Sequence, residues 1–212
     1  VYPDDHVEIA NLQVALAQSK AQLGDPRAAV ALGRTALAKL EKAGASRSKA
    51  VVHALVALGT ALVHAGRLDE ALVVARRATD ALDRFEHPEL HLDMAARGLV
   101  ASIQLERRDV AEAVETVTRL RERHEAAMDS NLNLEIIRGN LAEAMKLSGE
   151  VDGARRLHEE SLASLVRSLP AGHPSIISRL ASLAWCLELL PRSDAVDERK
   201  DEVLALLLDQ TM

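Results

Sequence analysis

Two histidine–glutamate pairs invite a metal-hydrolase reading. His124-Glu125 and His158-Glu159 each open the helical pattern in which a second histidine, one turn on, completes a zinc site with the glutamate as general base. That second histidine is missing from both, because Met128 and Leu162 stand where it would have to reach the metal. Two further histidine pairs are spaced for contact. His87 and His91 lie four residues apart near a helix start and could chelate a cation, but no adjoining set of carboxylates and cysteines completes the site. His53 and His64 are eleven residues apart, about three helical turns, which puts both on one side of a helix. There they could contact a ligand or respond to pH; the plainer reading is a solvated lining. Cys186, the sole cysteine, sits beside Trp185 inside a helical segment, where a free cysteine packs more often than it attacks. A lone cysteine also excludes internal disulfides and multi-thiolate zinc sites. The chain has neither a phosphate-binding Gly-rich loop ending in Lys and Ser or Thr, nor a serine flanked by glycines at nucleophile-elbow spacing. The expectation is a chain that is no enzyme and holds no metal and no cofactor.

Charge narrows the partners. The formal net charge is -6 with 27% charged residues, so no positive excess meets the phosphates of nucleic acid or of anionic lipid. Arg107, Arg108, Arg119, Arg121 and Arg123 form a local basic run, but Asp109, Glu112, Glu115 and Glu122 are interleaved, as on a salt-bridged helix surface. The longest uncharged stretch, Ala50 to Gly66, contains His53, Thr60 and His64 and falls short of the ~20 apolar residues of a membrane span. A buried helix accounts for it. The opening VYPDDHVEIA lacks the basic start and apolar run of a signal peptide and reads as an inter-repeat linker, as in a segment excised from a longer protein. The cytoplasm is the default location.

The elements that would position these side chains are helices. Hydrophobic residues make up 48% of the chain, mostly Ala, Leu and Val, while aromatics make up 1%; close helix packing through Ala and Leu suits that balance better than a sheet sandwich. Self-similarity then organises the chain. A turn flanked by amphipathic segments recurs as LGDPRAAV, AGRLDEAL, ERRDVAEAV and SGEVDGARRL, with a weaker copy LPRSDAVDER. These align on Gly24, Gly66, Arg108, Gly149 and Pro191, at intervals of 42, 42, 41 and 42 residues. Upstream, a bulky apolar residue followed by a small one repeats as Leu16-Ala17, Leu58-Gly59, Val100-Ala101, Leu141-Ala142 and Leu183-Ala184. Downstream, the small position is Ala29, Ala71, Ala113, Ala154 and, less well, Val196.

Each period therefore reads as a helical hairpin. Val51, Leu55, Leu58 and Leu62 form one stripe before the turn, and Leu68, Leu72, Ala75 and Thr79 its partner after it. Small residues let two helix backbones approach at the crossing. The turn glycines fit helix ends that need a left-handed backbone, and Asp25-Pro26 supplies a cap and a first helical residue. His87-Pro88 and LPAGHPS, from Leu169 to Ser175, restart helices similarly. One hairpin cannot offset the ordering entropy of its own chain, so neighbours must cover its second face, giving a one-dimensional stack. The repeats fall at approximately 7–47, 48–89, 90–131, 132–175 and 176–212, one domain over 1–212, closed by DERKDEVLALLL from Asp197 to Leu208.

AGRLDEAL preceded by ALVALGTALVH, with Gly59, Gly66, Ala71 and Ala78 in order, resembles a tetratricopeptide repeat. The period exceeds the usual ~34 residues. The linker words DDHVEIA and AGHPSII and the run NLAEAMKLSGEVDGARRLHEESL are similar to kinesin-light-chain-type repeats. Arg108 and Pro191 depart from the family at the turn glycine, as does the near absence of large aromatics. The resemblance implies an all-α, right-handed α-solenoid of about five repeats whose first helices line a concave groove for a protein or peptide. Carried over, the groove positions include Asn11, Gln18, Gln22, His53, Thr60, His64, Ser102, Glu106, Asn140, Glu143 and Trp185. Ala15 and Ala57 stand where chaperone-tail-binding members carry Asn, which argues against that ligand. The functional expectation is a protein- or peptide-binding scaffold within a larger bacterial signalling protein; the alternative is a ligand- or peptide-sensing domain controlling an attached kinase or transcription factor.

Overall fold

Helix ends set the architecture, and those at four of the five aligned turns are built alike. In the computed structural model, which describes residues 7–45, 48–86, 89–126 and 131–211, the first helix, α1 (Val7–Gln22), stops at Gly24 with φ +78°. The Gly24 N–H donates to the Ala21 carbonyl at 3.2 Å and the Asp25 N–H to that of Lys20 at 2.9 Å. That pair of bonds satisfies carbonyls a helix end would otherwise leave bare. The same two bonds recur at Gly66, at Arg108 and at Gly149, with φ of +70°, +68° and +90°. Arg108 thus takes the left-handed conformation without being glycine. Pro191 has no N–H to give, and the fifth turn differs accordingly: Leu190 is extended, as a residue before proline should be, and Ser193 Oγ accepts from the Val196 N–H to start the next helix.

The helices that follow are α2 (Pro26–Lys42), α3 (Lys49–His64), α4 (Leu68–Leu82), α5 (Leu90–Glu106), α6 (Val110–Ala126), α7 (Asn131–Ser148), α8 (Val151–Ser168), α9 (Pro174–Leu189) and α10 (Asp194–Thr211). Asp25 caps α2, its side chain accepting from the Ala28 N–H at 3.2 Å, with Pro26 in the first turn. His173 caps α9 through Nδ1, which accepts from the Ser175 N–H, again with a proline in the first turn. The restart expected at His87-Pro88 lies outside the described residues.

The chain forms two compact units, Val1–Asp109 with α1 to α5 and Val110–Met212 with α6 to α10. The third repeat of the sequence is divided between them. In the first unit α1 packs on α2, α3 on α4, and each hairpin on the next helix. The stripes read from sequence are its core: Val51, Leu55, Leu58, Leu62, Leu72 and Ala75 are all buried. Close approach depends on missing side chains. A Cβ on Gly33 of α2 would lie 3.2 Å from Leu58 Cβ, and one on Gly59 would lie 2.8 Å from Leu99 Cδ2 of α5. The second unit pairs α7 with α8 and α9 with α10 over a core of Leu162, Leu165, Ile176, Leu180, Leu183, Leu187 and Val203. Cys186 is fully buried, and burial pushes its thiol pKa up. Of the bulky residues in the Leu16 series, only Leu16 itself is exposed.

Candidate interaction surfaces

In the first unit, α1 lies against α3 and α3 against α5, so the first helices of successive repeats are neighbours. Their outward side carries the expected positions. Asn11, Gln18 and Gln22 on α1, His53 and His64 on α3, and Ser102 and Glu106 on α5 are exposed; Thr60 is half-buried. Three of them meet: Asn11, Gln18 and His53, with Val14, Ala15 and Ala50, line a cleft of about 390 Å³. Amide side chains both donate and accept, so the cleft can answer the N–H and C=O of an extended peptide.

The histidine pairing differs from that expected. His53 meets His91 of α5, with ring centroids 6.3 Å apart, rather than standing with His64 alone. His91, assigned to His87 in the sequence, reaches Glu89 at 3.4 Å, and Glu89 in turn pairs with Lys49. Partial burial and then His91 lower the His53 pKa, against a smaller upward pull from Glu89, so His53 is neutral near pH 7. Its spacing from His91, close to one repeat period, was the signal missed. Among the described residues no group of three or more His, Cys, Asp or Glu side chains is placed to hold a metal ion.

The second unit presents Asn140, exposed, and Glu143, half-buried, on α7, and Trp185 on α9. Trp185 is 61% exposed, which removes it from the core. Lys146 Nζ lies 4.5 Å from its ring centroid, and Glu143 holds Lys146 at 2.7 Å. The cation and the carboxylate thus fix the indole while leaving it accessible.

A polar cluster that the sequence reading passed over lies between α7, α8 and α9. His158 is buried and neutral: burial first, then the charges of Arg179 and Lys146, push its pKa down to about 4. The Arg179 guanidinium bonds His158 Nδ1 at 3.0 Å and donates to the Glu135 carbonyl at 3.0 Å, and burial lowers its pKa too. The buried Glu135 carboxylate accepts from Arg138 at 2.8 Å. Arg179 fits because Gly139 has no Cβ; one built there would lie 2.6 Å from Nη1. Repeat alignment exposes the cluster: Glu135 aligns with Val52 and Ile177, His158 with Gly33, Ala75 and Val117, and Arg179 with Ala54, Ala96 and Ile137.

Within the basic run Arg107 bridges Asp109 and, outside the run, Asp69; Arg119 bridges Glu115 at 2.6 Å, and Arg121 reaches Glu125 at 3.9 Å. Among the described residues no helix is long and apolar enough to cross a membrane.

Comparison with known proteins agrees with this architecture. The tetratricopeptide repeat family matches residues 137–175. The nearly identical TPR-like repeats of a candidate kinesin light chain from Podosopora anserina superpose with a TM-score of 0.80 at 22% identity, over 97% of this chain and 96% of that one. BtubC (BKLC) of P. vanneervenii follows at 0.70 and 17%, over 92% and 76%. Bacillus thuringiensis PlcR, solved in complex with the peptide PapR7 and DNA, gives 0.63 and 12%, over 99% and 72%. No curated protein sequence matches the chain. The chain carries a tetratricopeptide repeat at 137–175, and its fold is the all-α helix-turn-helix solenoid of kinesin-light-chain-like tetratricopeptide repeats.

Proposed function

We propose that the protein is a non-catalytic module that binds another protein or a peptide on the outward side of its first helices, as a regulatory part of a larger bacterial signalling protein in the cytoplasm. The observation that carries this is the cleft of Asn11, Gln18 and His53: neutral hydrogen-bonding side chains over an apolar floor of Val14, Ala15 and Ala50. Such a surface suits a peptide backbone and offers no reacting group. Trp185 supplies the second half of the reading, since exposed, rigidly held aromatics are frequent binding hot spots. The peptide in the PlcR complex belongs to that protein; it supports the reading here by fold likeness only.

The test is selection of a random dodecapeptide phage library on the purified chain, followed by affinities of enriched peptides for N11A/H53A and W185A. The expected result is at least a tenfold loss for one variant with unchanged far-ultraviolet circular dichroism. Peptides that bind both variants as tightly as the parent would refute the assignment of these surfaces. A sensor of small ligands is the second reading, favoured by the size of the cleft. Thermal shift against a metabolite library separates it: stabilisation that H53A abolishes would move the role from scaffold to sensor.

A further inference from the structure

A cleft in the second unit lies where the start of α7, the end of α8 and the start of α9 meet. It measures about 290 Å³, and its lining includes Glu135, Ile136, Leu165, Pro174, Ser178 and Arg179. Both charged members carry a buried polar atom that nothing in the protein answers. Glu135 is 3% exposed; its Oε1 accepts from Arg138, while Oε2 has no partner among the described residues. Arg179 sets Nη1 on His158 and Nη2 on the main-chain carbonyl of Glu135, and its Nε–H is left over. The Glu135 charge acts on Arg179, yet the two side chains do not bond each other, and among the described residues no other carboxylate bonds the guanidinium. Packing of the repeats asks for no cation there, since Leu12, Ala54, Ala96 and Ile137 hold the Arg179 register elsewhere. Buried polar atoms left bare cost stability, and a molecule that bonds both would recover it.

The geometry points to a binding site for a free α-amino acid with an apolar side chain. Its ammonium donates to Glu135 Oε2, its carboxylate accepts from Arg179 Nε, and its side chain lies on Ile136, Leu165 and Pro174. Size sets the class of ligand: the cleft stands at the lower end of the ~300–1,000 Å³ of small-molecule sites, which holds a single residue and no run of peptide. Charge sets its form. A carboxylate alone would be repelled by Glu135, and an amine alone would leave Arg179 uncompensated, so the zwitterion fits where neither half does. The site belongs to the second unit and does not rest on the cleft of Asn11, Gln18 and His53 in the first.

Isothermal titration calorimetry of the whole chain with leucine, valine and phenylalanine tests this. The expected result is binding of at least one of them with a dissociation constant on the order of 100 µM. N-acetylation, which removes the ammonium, and amidation, which removes the carboxylate, should each weaken it at least roughly tenfold. E135Q keeps an oxygen for Arg138 and should abolish the penalty for N-acetylation. S178W, at an exposed position in the cleft, should block every ligand while circular dichroism stays that of the parent. No binding of any of these amino acids up to about 5 mM would mean that water alone answers the bare atoms, and would overturn the inference. So would equal affinity for an amino acid and its N-acetyl derivative, tighter binding of a peptide that begins with the same residue, or binding indifferent to both variants.

Discussion

One buried side chain, His158, should make this protein sensitive to acid in a way that can be isolated from its carboxylates. The imidazole is buried between α8 and α9, and its Nδ1 faces the Arg179 guanidinium at 3.0 Å. Since a guanidinium can only donate, Nδ1 must be unprotonated, and adding its proton would set two cations against each other in a buried site. The folded pKa is accordingly about 4, against 6.5 for a free imidazole. A depressed histidine pKa means the unfolded chain takes up a proton that the folded one refuses. The contribution of His158 to stability is therefore complete above pH 6.5, falls as pH drops towards 4, and levels off below it. Linkage between those two values gives a loss of about 2.5 kcal/mol at a pH of roughly 4.5. The variant that isolates the effect is H158N. Its amide oxygen keeps an acceptor near the place of Nδ1, so Arg179 retains its bond, and at neutral pH the variant should lie within about 1.5 kcal/mol of the parent. Urea unfolding followed by circular dichroism at neutral and acid pH gives the two free-energy differences. The other titrating groups are common to both proteins and cancel in the comparison. If parent and H158N lose the same stability on acidification, His158 is not the buried neutral base described here.

Other perturbations probe the turns and seams. R108G should stabilise by about 0.5–1 kcal/mol, seen as a rise in Tm, because the left-handed backbone at φ +68° costs an L-residue what it does not cost glycine. G59L should cost more than about 2 kcal/mol in urea unfolding, since the added side chain meets Leu99 and, behind it, Val74 and the Ala71 carbonyl; G59A, opposed chiefly by one Leu99 methyl, should cost under about 1.5 kcal/mol. G139A should expel the Arg179 guanidinium from α7, lowering stability by roughly 2 kcal/mol. Removal of that charge from His158 should also narrow the difference in acid sensitivity between the G139A protein and its H158N derivative.

The fold was legible in the sequence because each requirement of a stacked hairpin falls on a residue type with few substitutes. Gly24, Gly66 and Gly149 mark the left-handed helix ends, Asp25-Pro26 marks a start, and Gly59 and Ala71 mark a crossing. Arg108 shows the limit of that reading: alignment placed it at a turn, but as a departure from glycine, and its left-handed backbone was not read from its residue type. Side-chain partnerships were less legible, since the search for pairs ran along single helices, whereas the partners lie about one period apart. His53 pairs with His91, Arg77 with Glu41, and Lys49 with Glu89, separations of 38, 36 and 40 residues. Lys146 and Trp185 are likewise 39 apart, so the cation beneath the indole is visible only once α7 and α9 are side by side. Leu16 was read as a seam residue from its register and is exposed because a register position states what a face can pack against, and not whether anything is there.

His158 and Arg179 stand at positions that are apolar or glycine in most other repeats, yet they bond each other at 3.0 Å. A single polar side chain in such a position would cost several kcal/mol unpaired. Two that bond each other are a unit, whose members cannot be judged one at a time. Their replacement should therefore be strongly non-additive. Truncating either, as in H158A or R179A, leaves a buried polar or charged neighbour uncompensated and should cost about 2–4 kcal/mol. Replacing both with apolar side chains of similar length, H158L/R179M, removes the desolvation penalties together and should leave stability unchanged or higher. If the double variant instead loses the sum of the single losses, the pair is stabilising in its own right. If it folds as well as the parent, net stability cannot be the reason for the departure from the repeat pattern. What the cluster supplies is then selectivity: α9, with Arg179 aimed at Gly139 and His158, matches the α7–α8 hairpin and no other hairpin in the chain.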